Sequence, residues 1–237
     1  MAVSLTTQWK LVACGLVAHA DGVLDGEECD RLMAAVDDAA DGDTYSEWLA
    51  TVADPERLQR VLDELPTPPE ESRRAILEQA WTMSIVDGER CDAETAVIEE
   101  LARRLDVEPM QLDYWREAWA AGEREVAERL AGALAWLLGG GEPAVADAAR
   151  IRNTVMALPT TDDHRERLVD VATGSASRDD VVRQLGKLTR RKRGWALARL
   201  APALSGATSE SEAQRRFVDL AAELGVAASE ADALLRA

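Results

Sequence analysis

Aromatic residues other than tryptophan are scarce in this sequence, with one Phe and two Tyr against seven Trp in 237 residues. Sheets draw on alternating β-branched and aromatic residues, and no run of that kind occurs, so the composition predicts an all-α fold. Histidines number only two, far apart in sequence, and no GxSxG, P-loop, HExxH or glycine-rich dinucleotide turn is present. Acid–base chemistry would have to rest on carboxylates alone, which argues against an enzyme and against any catalytic residue. The three cysteines, Cys14, Cys29 and Cys91, make neither a CxxC pair nor an even framework, and predict reduced, mostly buried thiols. No apolar run approaches the roughly 20 residues of a spanning helix, so direct membrane insertion is not expected. Leu11-Val12-Ala13-Cys14 imitates a lipoprotein cleavage box, yet Thr6, Thr7, Gln8 and Lys10 stand where a secretion signal needs an unbroken apolar stretch. A soluble, cytoplasmic protein is the expectation.

Positive charge is short as well. The formal net charge is −17, which excludes the basic footprint of a general nucleic-acid binder. Residues 1–118 hold 10 Lys/Arg and 27 Asp/Glu, whereas residues 119–237 hold 17 of each, so the whole excess lies in the first half. That half is where a cation or a basic partner is to be sought.

What is present is a repeat. Aligning the segment from Leu11 with the segment from Arg129 places Asp21 on Gly139, a shift of 118. The same shift of 118 places Asp87 on Ser205 and Gly88 on Gly206. Farther on, Ile98 and Leu101 meet Phe217 and Leu220 at 119. Within the first copy, Asp21-Gly22 and Asp87-Gly88 are 66 apart, each closing one apolar helix and opening another, in the manner of a helical hairpin.

Helix limits follow from pattern and punctuation. Leu5, Trp9, Val12, Leu16 and Val17 recur at helical spacing until about Ala20. Asp25 with Glu28 reads as a capping box, Asp54-Pro55 as an N-cap and first helical residue, and Ser177 as a further cap. Helices also open at Pro68-Pro69 and Glu108-Pro109, giving about seven per copy. The copies divide into residues 1–120 and 121–237, with the boundary in or next to a helix near Ala120–Gly122.

The segments Ala20-Asp21-Gly22-Val23-Leu24-Asp25-Gly26-Glu27-Glu28 and Val86-Asp87-Gly88-Glu89-Arg90-Cys91-Asp92-Ala93-Glu94 resemble the TerB-like family, named for a tellurite-resistance protein. The resemblance spans residues 3–120 and reaches 122–237 only through the repeat. It implies a bundle of about seven helices made of two pseudo-symmetric hairpins. It also implies divalent cations held by the acidic loops, and a place in stress-response assemblies at membranes. Three departures stand out. Cys91 replaces the usual polar or acidic cap, and Gly139-Gly140 and Ser205-Gly206 replace both DG pairs in the second copy, which reads as degenerate.

Two readings of the acidic loops stand side by side. Asp21, Asp25 and Glu28 fall where an EF-hand places its fifth, ninth and twelfth loop positions, a spacing suited to a hard cation such as Ca²⁺ or Mg²⁺. Val17 and His19 would hold the first and third positions and cannot complete a calcium cage, so the site would borrow Asp87 and Glu94 and would be weak. Alternatively, the glycine ends a helix in a left-handed turn and Asp25 with Glu28 caps the next, with no metal at all.

Other candidates have plain structural readings beside functional ones. His19 reads as a partly exposed structural histidine before a transition-metal ligand, and His164 as an exposed helix-start residue. Arg190-Arg191-Lys192-Arg193 reads as a solvated face or a contact with the acidic first domain before a phosphate site. Trp9, Trp48, Trp81, Trp115 and Trp119 read as core. The sequence thus predicts a non-enzymatic protein with a possible divalent-cation site at Asp21, Asp25, Glu28, Asp87 and Glu94. The alternative is a metal-free adaptor that docks a protein partner, or a membrane-associated complex, through its acidic first domain.

Overall fold

Seven helices are laid down between Ser4 and Gly122. They are α1 Leu5–Ala18, α2 Gly26–Ala39, α3 Gly42–Val52, α4 Pro55–Glu64, α5 Glu70–Met83, α6 Asp92–Arg104 and the start of α7 Pro109–Gly139. The computed structural model describes residues 3–86, 90–140, 144–158, 160 and 162–236, with backbone only at 43, 162 and 191. Among the described residues there is no strand, and the fold is all-α. The chain divides into two compact units, residues 1–121 and 122–237, each with its own apolar core.

In the first unit α1 is the axis. Seven of its last eight residues are buried (Leu11 to Gly15, Val17 and Ala18), so it is apolar all round rather than on one stripe. It packs against α5, α4, α2 and α6. Each Leu or Val buried here contributes about 1.5–3 kcal/mol relative to exposure. Gly15 lets α4 come close, because a Cβ at that position would sit 2.7 Å from Leu58 Cδ1. The ends of the axis are pinned by polar contacts. Ser4 caps the start by accepting from the Thr7 N–H, Trp9 Nε1 donates to the Pro66 carbonyl at 2.9 Å, and His19 Nε2 lies 2.9 Å from the Val52 carbonyl.

The second unit repeats this order. Its axis is the part of α7 from Gly122 onward, in which Leu130, Ala131 and every residue from Ala133 to Leu138 are buried. There follow a 3₁₀ turn (Val145–Asp147), α8 Ala148–Met156, α9 Asp162–Thr173, α10 Arg178–Gly186, α11 Arg190–Leu200, a 3₁₀ turn (Ala201–Leu204), α12 Glu210–Glu223 and α13 Ala228–Leu234.

The correspondence extends to the buried faces. Glu28, Leu32 and Val36 of α2 match Asp147, Ile151 and Val155, each 119 residues later, and Ile98, Leu101 and Ala102 match Phe217, Leu220 and Ala221 at the same shift. The left-handed glycines Gly22 (φ 83°) and Gly140 (φ 64°) are only 118 apart, so the second unit carries one more residue between glycine and helix. At the end of the sixth helix, Asp106 (φ 54°) corresponds to Gly225 (φ 77°). Both turns close alike, with the Val107 N–H donating to Ala102 and the Val226 N–H to Ala221.

Several expectations are corrected by the packing. His164 is buried, 8 % exposed, with Nε2 3.8 Å from Glu128 Oε1. Only Cys14 is buried among the thiols, while Cys29 and Cys91 are half-exposed. Arg193 is no solvated charge. Its guanidinium donates to the carbonyls of Leu188 (2.9 Å), Leu224 (3.0 Å) and Gly186 (2.5 Å), where it meets the ends of α10 and α12, while Arg190 and Lys192 beside it are exposed. Trp9, Trp48, Trp81 and Trp119 are core residues, and Trp115 is half-buried at its margin.

Candidate functional site

The first acidic loop follows α1. Gly22 turns the chain in the left-handed region, and the Asp21 side chain folds over it, Oδ1 accepting the Val23 N–H at 2.9 Å. Asp25 then stands as N-cap of α2 with extended backbone, and its Oδ1 accepts the Glu28 N–H at 2.7 Å. Glu28 answers by accepting the Asp25 N–H on Oε2 at 3.1 Å, which completes the capping box. Asp21 is exposed, Asp25 half-buried, and Glu28 only 7 % exposed.

The second loop leads into α6. Asp87, Gly88 and Glu89 lie outside the described residues, so the Asp87 part of the expected cation site does too. From Arg90 onward the pattern of the first loop returns. Cys91 is the N-cap, its Sγ accepting the Glu94 N–H at 3.4 Å, and Glu94 Oε2 accepts the Cys91 N–H at 2.7 Å. A sulfur therefore fills the place that an aspartate takes 66 residues earlier, at the longer contact expected of a weak acceptor. Glu94 is 6 % exposed, matching Glu28.

Two buried glutamates thus begin two related helices, each engaging one oxygen in a cap at the positive end of a helix dipole. The donor set suits a hard divalent cation chemically, since carboxylate oxygen is what such ions take. Among the described residues no three of His, Cys, Asp or Glu gather closely enough to form a site by themselves. Asp21 thus makes a turn, and Asp25 with Glu28 makes a cap.

Sequence reasoning missed the role of Arg90. Its Nε donates to Ser84 Oγ at 2.6 Å, its Nη2 donates to the Trp81 carbonyl at 3.0 Å, and its guanidinium carbon lies 3.4 Å from the Trp81 ring centroid. Arg90 thereby seals the end of α5 beside the second loop. The indoles continue from there, with Trp81 and Trp119 at 5.9 Å and Trp119 and Trp115 at 6.1 Å between centroids. Arg74 lies 5.9 Å over Trp115, at a shallow groove lined also by Arg73, Glu71, Asp106 and Gln111. The one available signal was a lone arginine inside an acidic motif, directly before the capping pair Cys91 and Glu94.

No helix among the described residues is long and apolar enough to cross a membrane. Against known proteins, the family model described as tellurite resistance protein TerB matches residues 10–117. No curated protein and no solved structure matches the chain. The match covers both capping boxes and nearly the whole first unit, while the second unit lies outside it. Over residues 10–117 the first unit is thus TerB-like.

Proposed function

We propose that this chain is a non-enzymatic cytoplasmic module whose first unit binds a divalent cation, Ca²⁺ or Mg²⁺, at Asp21, Asp25, Glu28, Asp87 and Glu94. It would serve as a protein-binding component of a stress-response or membrane-associated assembly. The observation that carries the reading is the pair Glu28 and Glu94, two buried carboxylates at related helix starts 66 residues apart. Burying an ionised carboxylate is costly unless it is paired or coordinates a metal. The excess of acid in residues 1–118 raises local cation concentration in the same direction. The second unit is read as a diverged copy kept for packing or partner contact, on the strength of the matched helices and buried faces.

A metal-free docking module is the second reading. It is favoured by the observation that Asp21, Asp25 and Glu28 each already serve a turn or a cap. A thermal melt of chelator-stripped protein, titrated with CaCl₂ and MgCl₂ at constant ionic strength, separates the two. Binding to the folded state alone raises stability by roughly 2.7 kcal/mol at a hundredfold excess over the dissociation constant. An ion-specific rise that Asp21→Asn and Asp87→Asn both abolish supports the cation site. No response to either ion at constant ionic strength, with a gradual shift when NaCl is varied in a separate series, supports the docking face.

A further inference from the structure

The second unit has no acid at either loop position, and something else occupies the ground around its loops. Arg150, on α8, reaches to the loop before α12 and donates to the carbonyls of Ser205 and Gly206, the latter at 2.6 Å. Arg216, on α12, reaches to the end of α7 and donates to the Leu137 carbonyl at 2.7 Å. The two guanidiniums cross, each helix holding the loop that belongs to the other hairpin.

The arrangement is symmetric to the residue. Arg150 and Arg216 are 66 apart, and so are the left-handed glycines they cover, Gly140 and Gly206. A Cβ at Gly140 would lie 2.8 Å from an Arg216 Nη, and one at Gly206 would lie 3.0 Å from an Arg150 Nη. Each arginine is steadied by an acid one turn earlier in the chain, Asp147 at the N-cap of α8 at 3.9 Å from Arg150, and Glu212 on α12 at 2.9 Å from Arg216. Asp147 also crosses, Oδ1 accepting the Thr208 N–H at 3.0 Å, and is 2 % exposed. By the 119-residue shift of the buried faces, the matching positions in the first unit are Arg31 and Val97, so that unit does not hold the same pair.

We propose that Arg150 and Arg216 are a crossed pair of guanidinium clamps that fix the end of α7 at Gly140 and the Ser205–Gly206 turn of the second unit without a bound ion. Carbonyls at a helix end carry partial negative charge, and a planar fork of donors satisfies them at fixed geometry without a diffusible cation. The clamp stands on its own contacts, whereas the contrast with an ion-binding first unit rests on the function proposed above.

Hydrogen–deuterium exchange of the full chain tests it, read on peptides spanning Gly140 and Gly206. Arg150→Met is expected to speed exchange around Ser205–Thr208 about tenfold, and Arg216→Met around Leu137–Gly140, each with little effect on the other loop. Tenfold is the size expected for one lost charge-assisted hydrogen bond. Should the Met variants unfold the unit, Arg150→Lys and Arg216→Lys keep charge and stem but not the fork, and are expected to show the same crossed pattern at smaller size. In the wild type, chelator and CaCl₂ are expected to give identical exchange at both loops. Loops that loosen together in either variant, that stay unchanged in both, or that gain protection with Ca²⁺, overturn the proposal. Peptides of the first unit report on its own ion response separately, so one reading can fail without the other.

Discussion

Replacing Asp25 by alanine removes a short contact and a charge from one spot. The Glu28 N–H loses an acceptor at 2.7 Å, while the reciprocal bond from the Asp25 N–H to Glu28 Oε2 can persist. An N-cap of this kind is worth about 1 kcal/mol, and an anion at the helix N-terminus adds about 0.5 kcal/mol. The expected loss for Asp25→Ala is therefore about 1.5 kcal/mol, and for Asp25→Asn, which keeps an acceptor oxygen, about 0.5 kcal/mol. Urea unfolding in chelator, followed by tryptophan fluorescence, measures both. Five of the seven tryptophans (Trp9, Trp48, Trp81, Trp115 and Trp119) lie in the first unit, so the signal is weighted to the altered part. The two units need not unfold together, and only the transition carrying that signal is fitted. In a melt, each kcal/mol should appear as about 4 °C. An Asp25→Ala protein within about 0.3 kcal/mol of wild type would refute the capping argument. So would an Asn variant as unstable as the Ala variant, since charge rather than hydrogen bonding would then carry the effect.

Two further outcomes follow from particular residues. Burial pushes the Cys14 thiol from 9.0 up to about 12, against a smaller opposing pull from Arg31 and Lys10. An aromatic disulfide reagent at pH 8 should therefore label Cys29 and Cys91 in the native chain and Cys14 only after unfolding. The unfolded thiol ionises near 9.0 and the folded one near 12, so the stability due to keeping it neutral is intact below pH 9 and lost as pH rises towards 12. Asp106→Gly should stabilise the first unit by about 0.5 kcal/mol, because glycine adopts the left-handed turn without the Cβ clash, and Gly225→Ala should cost the second unit about 1 kcal/mol. Paired denaturation curves check both signs, and a destabilised Asp106→Gly would show that the Arg73 ion pair with the Asp106 carboxylate outweighs the backbone strain.

Helix existence and helix starts were legible because their causes lie within a few residues of one another. Asp25 with Glu28, Asp54 with Pro55, and Ser177 all stand as caps where spacing put them. The two apolar runs that became axes were visible for the same reason. The candidate site was legible as a motif but not as an arrangement. Cys91 was marked as a departure and turns out to keep the capping geometry, since an N-cap asks only for a side-chain acceptor and sulfur can stretch to reach.

By itself, then, the sequence determined an all-α chain, several of its helix starts, the 66- and 118-residue spacings and the TerB resemblance of the first unit. These rest on local backbone preference and on periodic burial, which depend on neighbours three or four positions away. Only the tertiary structure decided that His164 is buried, that Arg90 lies on Trp81, and that Arg150, Arg193 and Arg216 reach carbonyls on other helices. A long cationic side chain can join any helix end within its reach, and nothing in its sequence neighbourhood says which end folding will bring near.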